Sequence, residues 1–444
     1  MQYNWINNVA DMSSDYTIIE FNDEFNQKIE PDTLPTKLIS LVFGSCFNQK
    51  IKPNTLPTNL ISLSFGWEFN QQIKPNTLPE NLTILTFDHN YDQKIEPNTL
   101  PKNLTTLTFG SSYNQKIEPN ILPENLTTLT FGWYFNQKIE PNCLPKNLTI
   151  FTLGGKFNQQ IEPNTLPENL TTLIFGSKFN QRIESNTLPK NLTTLTFSRC
   201  FTQKIEPKIL PENLTTLTFG WQFNQILEPN ILPKNLMILT FSNYFNQRIE
   251  LNTLPKKLTT LIFGFHFNQI IEPNSLPENL TTLAFGYIFN QKIEPNTLPD
   301  NITTLTFGFK FNQKLELNTL PKNLTTLTFE WGFNQKIDSE MLPSNLQNIN
   351  FDWITCDLNE HERHIEMVNN IPSYYHVNIL LNKDNFNIEK LKWPIHVVNY
   401  YEFDWSSEIY ELQDKYNHPD YGYTTILINK KTYQPYSFAK SALK

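Results

Sequence analysis

Apolar residues along most of the chain fall in one order that returns every 22 residues. In residues 289–310, FNQKIEPNTLPDNITTLTFGFK, taken as positions 1 to 22, they are Phe289, Ile293, Leu298, Ile302, Leu305 and Phe307, at positions 1, 5, 10, 14, 17 and 19. The last three follow the spacing L-x-x-L-x-[FL]. Alternate residues of an extended strand share a face, so this spacing predicts a short strand with its apolar side turned into a stack. Upstream, Glu294-Pro-Asn-Thr-Leu-Pro299 places two prolines four residues apart. Proline fixes φ and removes a donor, so the return segment is expected to be extended or turned, without a full helix.

The frame Phe-Asn-Gln-x starts at Phe25 and recurs at Phe47, Phe69, Phe135 and on to Phe333, with Tyr91, Tyr113 and Phe201 in the same slot. That makes fifteen units without insertion or deletion, and a fixed period of this kind predicts a stacked solenoid. Rings at positions 1 and 19 should then form two internal ladders, each ring worth roughly 1.5–3 kcal/mol when buried. Asn at position 2 occurs in thirteen units, with Asp92 and Thr202 as exceptions, and Gln at position 3 occurs in all fifteen. Amides donate and accept, so these columns read as structural bonds between rungs. Position 12 alternates in sign from Glu80 and Lys102 to Glu212 and Lys234, which favours the register but reads as a solvated face. Basic position 4 and acidic position 6 should partly neutralise each other.

The frame Phe-Asn-Gln-x-Ile, followed by Leu-Pro-x-Asn-Leu-Thr-Thr-Leu-Thr-Phe-Gly, resembles the FNIP repeat family of social amoebae and amoeba-infecting giant viruses, over residues 25–354. The resemblance implies a leucine-rich-repeat-like solenoid and a protein-binding role, and it carries over no catalytic residue. Some members carry an F-box; the segment before Phe25 is too short for one, which argues against a ubiquitin-ligase adaptor. Residues 3–24 read as a worn repeat that caps the stack, with Tyr3, Asn4, Met12, Ile19 and Phe21 in register. The expected class is mainly β, a solenoid of about fifteen rungs over residues 25–354, preceded by a capping repeat at 1–24 and followed by an α+β cap or small domain at 355–444.

Against so regular a background the variable positions carry the functional information. Position 21 changes from rung to rung, through Trp67, Trp133 and Trp221, and ends in five aromatics, Phe265, Tyr287, Phe309, Trp331 and Trp353. At rung spacing these five make a row of roughly 20 Å. Two readings stand: a recognition row, with Trp221, Phe265, Tyr287, Phe309, Trp331 and Trp353 as partner-binding residues, or rings folded over the strand edge to shield the phenylalanine ladder. The strand face also presents Thr at positions 16 and 18, a lattice similar to those of ice-binding solenoids, but Val42, Ile174, Ile262 and Ala284 interrupt it and Thr favours strands anyway. Asn-Leu-Thr triplets such as Asn103-Leu-Thr read as strand starts and not as glycan sites.

Net charge of -8, with no run of like charges, argues against a nucleic-acid partner. Cys46, Cys143, Cys200 and Cys356 lie far apart with no CxxC or paired spacing, so neither a disulfide framework nor a zinc site is indicated. No signal peptide or membrane span is recognised, so an intracellular location without membrane partners is expected. After Trp353 the period fails; residues 357–369 read as a helix, and the proline-led runs 371–380 and 393–401 as strands. His361 and His364 lack the spacing of a zinc-protease helix, and Cys356 has no recognisable base. The expected function is a non-enzymatic scaffold for a protein partner, without cofactor or metal. The alternatives are a self-associating structural protein, or a catalytic or ligase activity in the last 90 residues.

Overall fold

The computed structural model describes residues 5–330 and 332–353, and beyond them the strand segments 376–382, 398–403, 427–428 and 435–436. The fold is a parallel β-solenoid of about fifteen turns, with about 22 residues in each. Among the described residues helix is limited to two 3-10 turns, Val9–Asp11 and Ser339–Met341.

Each rung is one strand and three tight turns, and each turn has a reason in the sequence. In the rung from Phe289, the Thr297 N–H donates to the Glu294 carbonyl at 3.2 Å. Pro295 and Asn296 are the central pair of that turn, and Asn296 has φ of 61°. Proline followed by a residue with positive φ is the type II pattern, and asparagine tolerates the left-handed region better than other side chains. The same position is left-handed in fourteen rungs, twelve of them with Asn. In the last rung Ser339 and Glu340 replace the Pro-Asn pair, and the turn becomes the 3-10 segment Ser339–Met341. A second turn starts at the other proline, where the Ile302 N–H donates to the Pro299 carbonyl at 3.2 Å. A third links Gly286 to Phe289, again at 3.2 Å. The strand Thr304–Phe307 then lies at positions 16 to 19.

Lys208 holds the left-handed position with φ of 68°. A side chain without the local bonding of asparagine is disfavoured there, so Lys208→Asn is expected to raise stability by roughly 0.5–1 kcal/mol. A urea midpoint unchanged or lowered in the variant would refute this.

All six apolar positions face inward, from Leu305 and Phe307 at 0% exposed to Leu298 at 5%. The ring at position 19 stacks on the ring four residues later, as Phe131 does on Phe135 at 3.7 Å and 4°. Along the stack Phe135 follows Tyr113 at 6.3 Å and precedes Phe157 at 6.2 Å. Leu153 interrupts the position-19 ladder; in that rung Phe151 has moved to position 17, where it meets Phe131 edge-on at 6.0 Å.

The amide columns bond rung to rung, as their chemistry suggests. Asn48 Oδ1 accepts both the Asn70 N–H and the Gln71 side-chain amide at 3.0 Å. Asp92 serves Asn114 and Gln115 in the same way, at 2.8 and 3.0 Å. Two further columns were not read from the sequence. The position-13 amide donates to the preceding rung, as Asn103 does to the Glu80 carbonyl at 2.9 Å, and the position-15 hydroxyl does likewise, as Thr127 to the Thr105 carbonyl at 3.1 Å. The Asn-Leu-Thr triplet is therefore a structural staple at the strand start. Positions 4 and 6 do neutralise each other: Lys292 reaches Glu294 at 3.1 Å and Glu316 at 3.2 Å. At position 12 Lys322 meets Asp300 at 2.7 Å, whereas the alternating charges from Glu80 to Lys190 make no ion pair within 4 Å among the described residues.

Two compact units divide the chain, Met1–Leu214 and Thr215–Lys444. In the first, the half of the worn repeat that carries Ile19 and Phe21 behaves as expected: both are buried, and Phe21 stacks on Phe25 at 3.8 Å. The structure adds a strand outside the repeat register, Trp5–Ile6, paired in parallel with Glu20 and Phe21. Tyr3 and Asn4 lie outside the described residues. In the second unit the parallel pairing goes on past Asn348–Trp353 to His376–Asn382 and Val398–Phe403, with Ile349 opposite Val377 and Ile379 opposite Tyr400. The strand runs expected at 371–380 and 393–401 thus carry strands that begin well after their prolines. Leu427–Ile428 pairs with Pro435–Tyr436 in antiparallel fashion. The helix expected over 357–369, with Cys356, His361 and His364, falls outside the described residues.

Candidate functional site

Positions 21 and 22 are the central residues of the turn that leads from the strand to position 1, so their side chains leave the core. That turn is packed closely against its neighbour: a Cβ at Gly132, position 20, would lie 2.0 Å from the Gly110 carbonyl oxygen. The turns are also bonded in register. The Ile288 N–H donates to the Phe265 carbonyl at 3.0 Å, and the Lys310 N–H to the Tyr287 carbonyl at 2.7 Å.

Rings held at this spacing stack. Phe265 lies on Tyr287 at 4.4 Å and 6°, and Tyr287 on Phe309 at 4.4 Å and 7°. Phe265 is 41% exposed, and Tyr287 and Phe309 are half-buried. The shielding reading can be tested against rungs that lack a ring. Phe43, Phe109 and Phe175 are 1–4% exposed although Ser45, Ser111 and Ser177 follow them, and Phe263 and Phe285, in the rungs of Phe265 and Tyr287, are equally buried. The phenylalanine ladder is sealed without the position-21 rings.

Of the six residues singled out in the sequence, the structure brings three together, Phe265, Tyr287 and Phe309. Trp221 is half-buried, and Asn243 holds position 21 in the rung between it and Phe265. Trp331 and the side chain of Trp353 lie outside the described residues. The same edge carries pairs that the sequence reading missed: Trp67 on His89 at 4.0 Å, Tyr244 on His266 at 4.7 Å, and the Lys156 ammonium over the Tyr134 ring at 4.2 Å. Their signal was present in the 22-residue offset between the partners.

A face-to-face column uses its ring faces internally and offers edges outward. Ring edges carry partial positive charge, so they suit aromatic faces and carbonyl or carboxylate oxygens of a partner. Among the described residues no group of His, Cys, Asp or Glu is placed to hold a metal ion, and no helix is long and apolar enough to cross a membrane.

The FNIP Repeat family model matches in twelve tiled segments, from residues 16–46 through 157–200 and 223–266 to 311–352. The chain belongs to the FNIP repeat family. Among solved structures this FNIP repeat chain is similar to the giant-virus protein CroV588, described as a novel circular LRR protein, with a TM-score of 0.69 and 37% sequence identity over 88% of this chain. The match spans 64% of the CroV588 chain. No curated protein matches the FNIP repeat chain.

Proposed function

We propose that this chain is a non-enzymatic scaffold that binds another protein along the variable edge of its rungs, with Phe265, Tyr287 and Phe309 at the centre of the contact and Trp221, Trp331 and Trp353 as further partner-binding residues. The observation that carries the reading is the stacked column itself. It is partly exposed, it is pre-ordered by the turn ladder, and the core does not need it. A row of aromatic rings already fixed in place loses little conformational entropy on binding, which suits it as an anchor for a partner. No cofactor, nucleic acid or membrane enters this reading, and an intracellular location is part of it.

The test compares capture from amoebal lysate by the intact protein and by a variant carrying Phe265→Ser, Tyr287→Ser and Phe309→Ser. The variant is expected to lose the retained protein while staying folded, with a urea midpoint lowered by no more than the loss of two stacked ring pairs, each worth about 0.5–1.5 kcal/mol. Retention of the same protein by both would remove the column from the contact. Sedimentation of the intact protein over a range of concentrations separates the reading from self-association: a single species that does not change with concentration is expected.

A further inference from the structure

A second part of the variable edge has different chemistry. Over three successive rungs in the first compact unit, positions 21 and 22 carry Lys156, Lys178 and Arg199, preceded by Trp133 and Tyr134. Elsewhere along this edge in the same unit the charged residues include Asp23, Glu24, Glu68 and Asp88, so the basic group stands apart in a chain of net charge -8.

The geometry shows a shaped surface. Trp133 packs against the next rung, and the space is made by Gly155: a Cβ there would fall 2.1 Å from the indole ring. The Lys156 ammonium sits over the Tyr134 ring at 4.2 Å, which places a cation directly on an aromatic ring. The turn ladder holds these rungs in register, with the Lys156 N–H on the Trp133 carbonyl at 2.6 Å and the Lys178 N–H on the Gly155 carbonyl at 2.8 Å. Lys156, Lys178 and Tyr134 are exposed, and Trp133 and Arg199 are half-buried. Neither Lys156 nor Lys178 has a carboxylate within 4 Å among the described residues. On the return face several cations are matched by acids of the chain itself, as Arg182 is by Glu184 at 3.5 Å.

We propose that Trp133, Tyr134, Lys156, Lys178 and Arg199 form a docking surface for an extended acidic peptide segment of a partner protein, with the cations taking its carboxylates and the rings taking an adjacent apolar or aromatic side chain. Charge complementarity selects this occupant. Carboxylates on alternate residues of an extended peptide recur at roughly 6.6–6.8 Å, within reach of flexible cationic side chains on rungs about 4.8 Å apart. A polyanionic nucleic acid fits less well: three cations release few counterions, and the acidic chain repels a long phosphate backbone. This surface shares no residue with the Phe265 column, so either can fail without the other.

The experiment uses the full chain and a fluorescein-labelled peptide of alternating Glu and Tyr, followed by fluorescence anisotropy at low and high salt. The intact protein is expected to bind it, with affinity falling as salt rises. The variant Lys156→Glu, Lys178→Glu, Arg199→Glu should bind at least about tenfold more weakly, as expected when attractive charges at a contact are reversed. The milder variant Lys156→Gln, Lys178→Gln should show an intermediate loss and guards against misfolding of the first. The proposal is overturned if the peptide does not bind at roughly 1 mM protein, the weak limit of useful affinity. It is equally overturned if the charge variants bind like the parent, or if a twelve-nucleotide oligo-dT displaces the label more effectively than the unlabelled peptide does.

Discussion

Phe135→Ala is expected to cost about 3–5 kcal/mol, the range for emptying a fully buried aromatic site. The ring is 0% exposed and stacks on Phe131 at 3.7 Å, with Tyr113 and Phe157 as its ladder neighbours at 6.3 and 6.2 Å. A solenoid has no distant core to share the loss, because each rung touches only the rungs beside it. The damage should therefore be local: amides in the rungs that begin at Tyr113, Phe135 and Phe157 should exchange faster, while distant rungs keep their protection. Repeat arrays can lose two-state behaviour when one interface is weakened, so hydrogen exchange is the better readout and urea unfolding the supporting one. A uniform rise in exchange over the whole array, or a loss under about 1 kcal/mol, would show that the ladder is not the main source of cohesion.

Tyr91→Phe combined with Tyr113→Phe should have the opposite effect. Both rings occupy position 1, where phenylalanine is the rule, and they stack on each other at 6.2 Å. Among the described residues neither buried hydroxyl has a hydrogen-bond partner. An unsatisfied buried polar group costs about 1–3 kcal/mol, so each replacement is expected to stabilise by an amount of that order. Burial raises the pKa of both phenols, and for Tyr113 the nearby Tyr91 and Asp92 push it further. A tyrosine in the unfolded chain ionises near pH 10, whereas the folded pair stays neutral to higher pH. The unfolded state then gives up protons first, so the parent keeps its stability below about pH 10 and loses it as pH rises beyond that. The gap between the double variant and the parent should widen between about pH 8 and pH 11. Lysines titrate in the same range in both proteins, and taking the difference removes their contribution. A constant gap, or a more stable parent, would mean that the hydroxyls have partners and would sink the account.

The rung itself was legible because its rules are local and repeated. Period-two spacing placed the strand, and fifteen copies separated scaffold from variable positions without any second sequence. The Pro-Asn pair at positions 7 and 8 was equally visible, yet it gave only an extended or turned return segment and not a type II turn, since the positive φ at Asn296 goes with a hydrogen bond from Thr297 that spacing alone does not announce. The position-13 and position-15 staples were overlooked because the Asn-Leu-Thr triplet was read only as a strand start, whereas Asn103 and Thr127 bond to carbonyls 22 or 23 residues away, in the preceding rung. The Trp5–Ile6 strand broke the register, so a reading tied to the repeat passed over it.

By itself the sequence determined the period, the inward positions and the columns in which variation occurs, because each follows from residue type and spacing. Tertiary structure decided where the variable residues lie once rungs are stacked. Whether Phe265, Tyr287 and Phe309 cover the ladder or stand clear of it depends on where the turn directs them, and Phe43, Phe109 and Phe175, just as buried without a ring at position 21, decide against covering. Likewise Lys156 comes to Tyr134 and Trp133 to Gly155 only through the turn ladder, which turns a separation of 22 residues into direct contact. Interactions between rungs are set by backbone register, and register is a property of the stack and not of the unit.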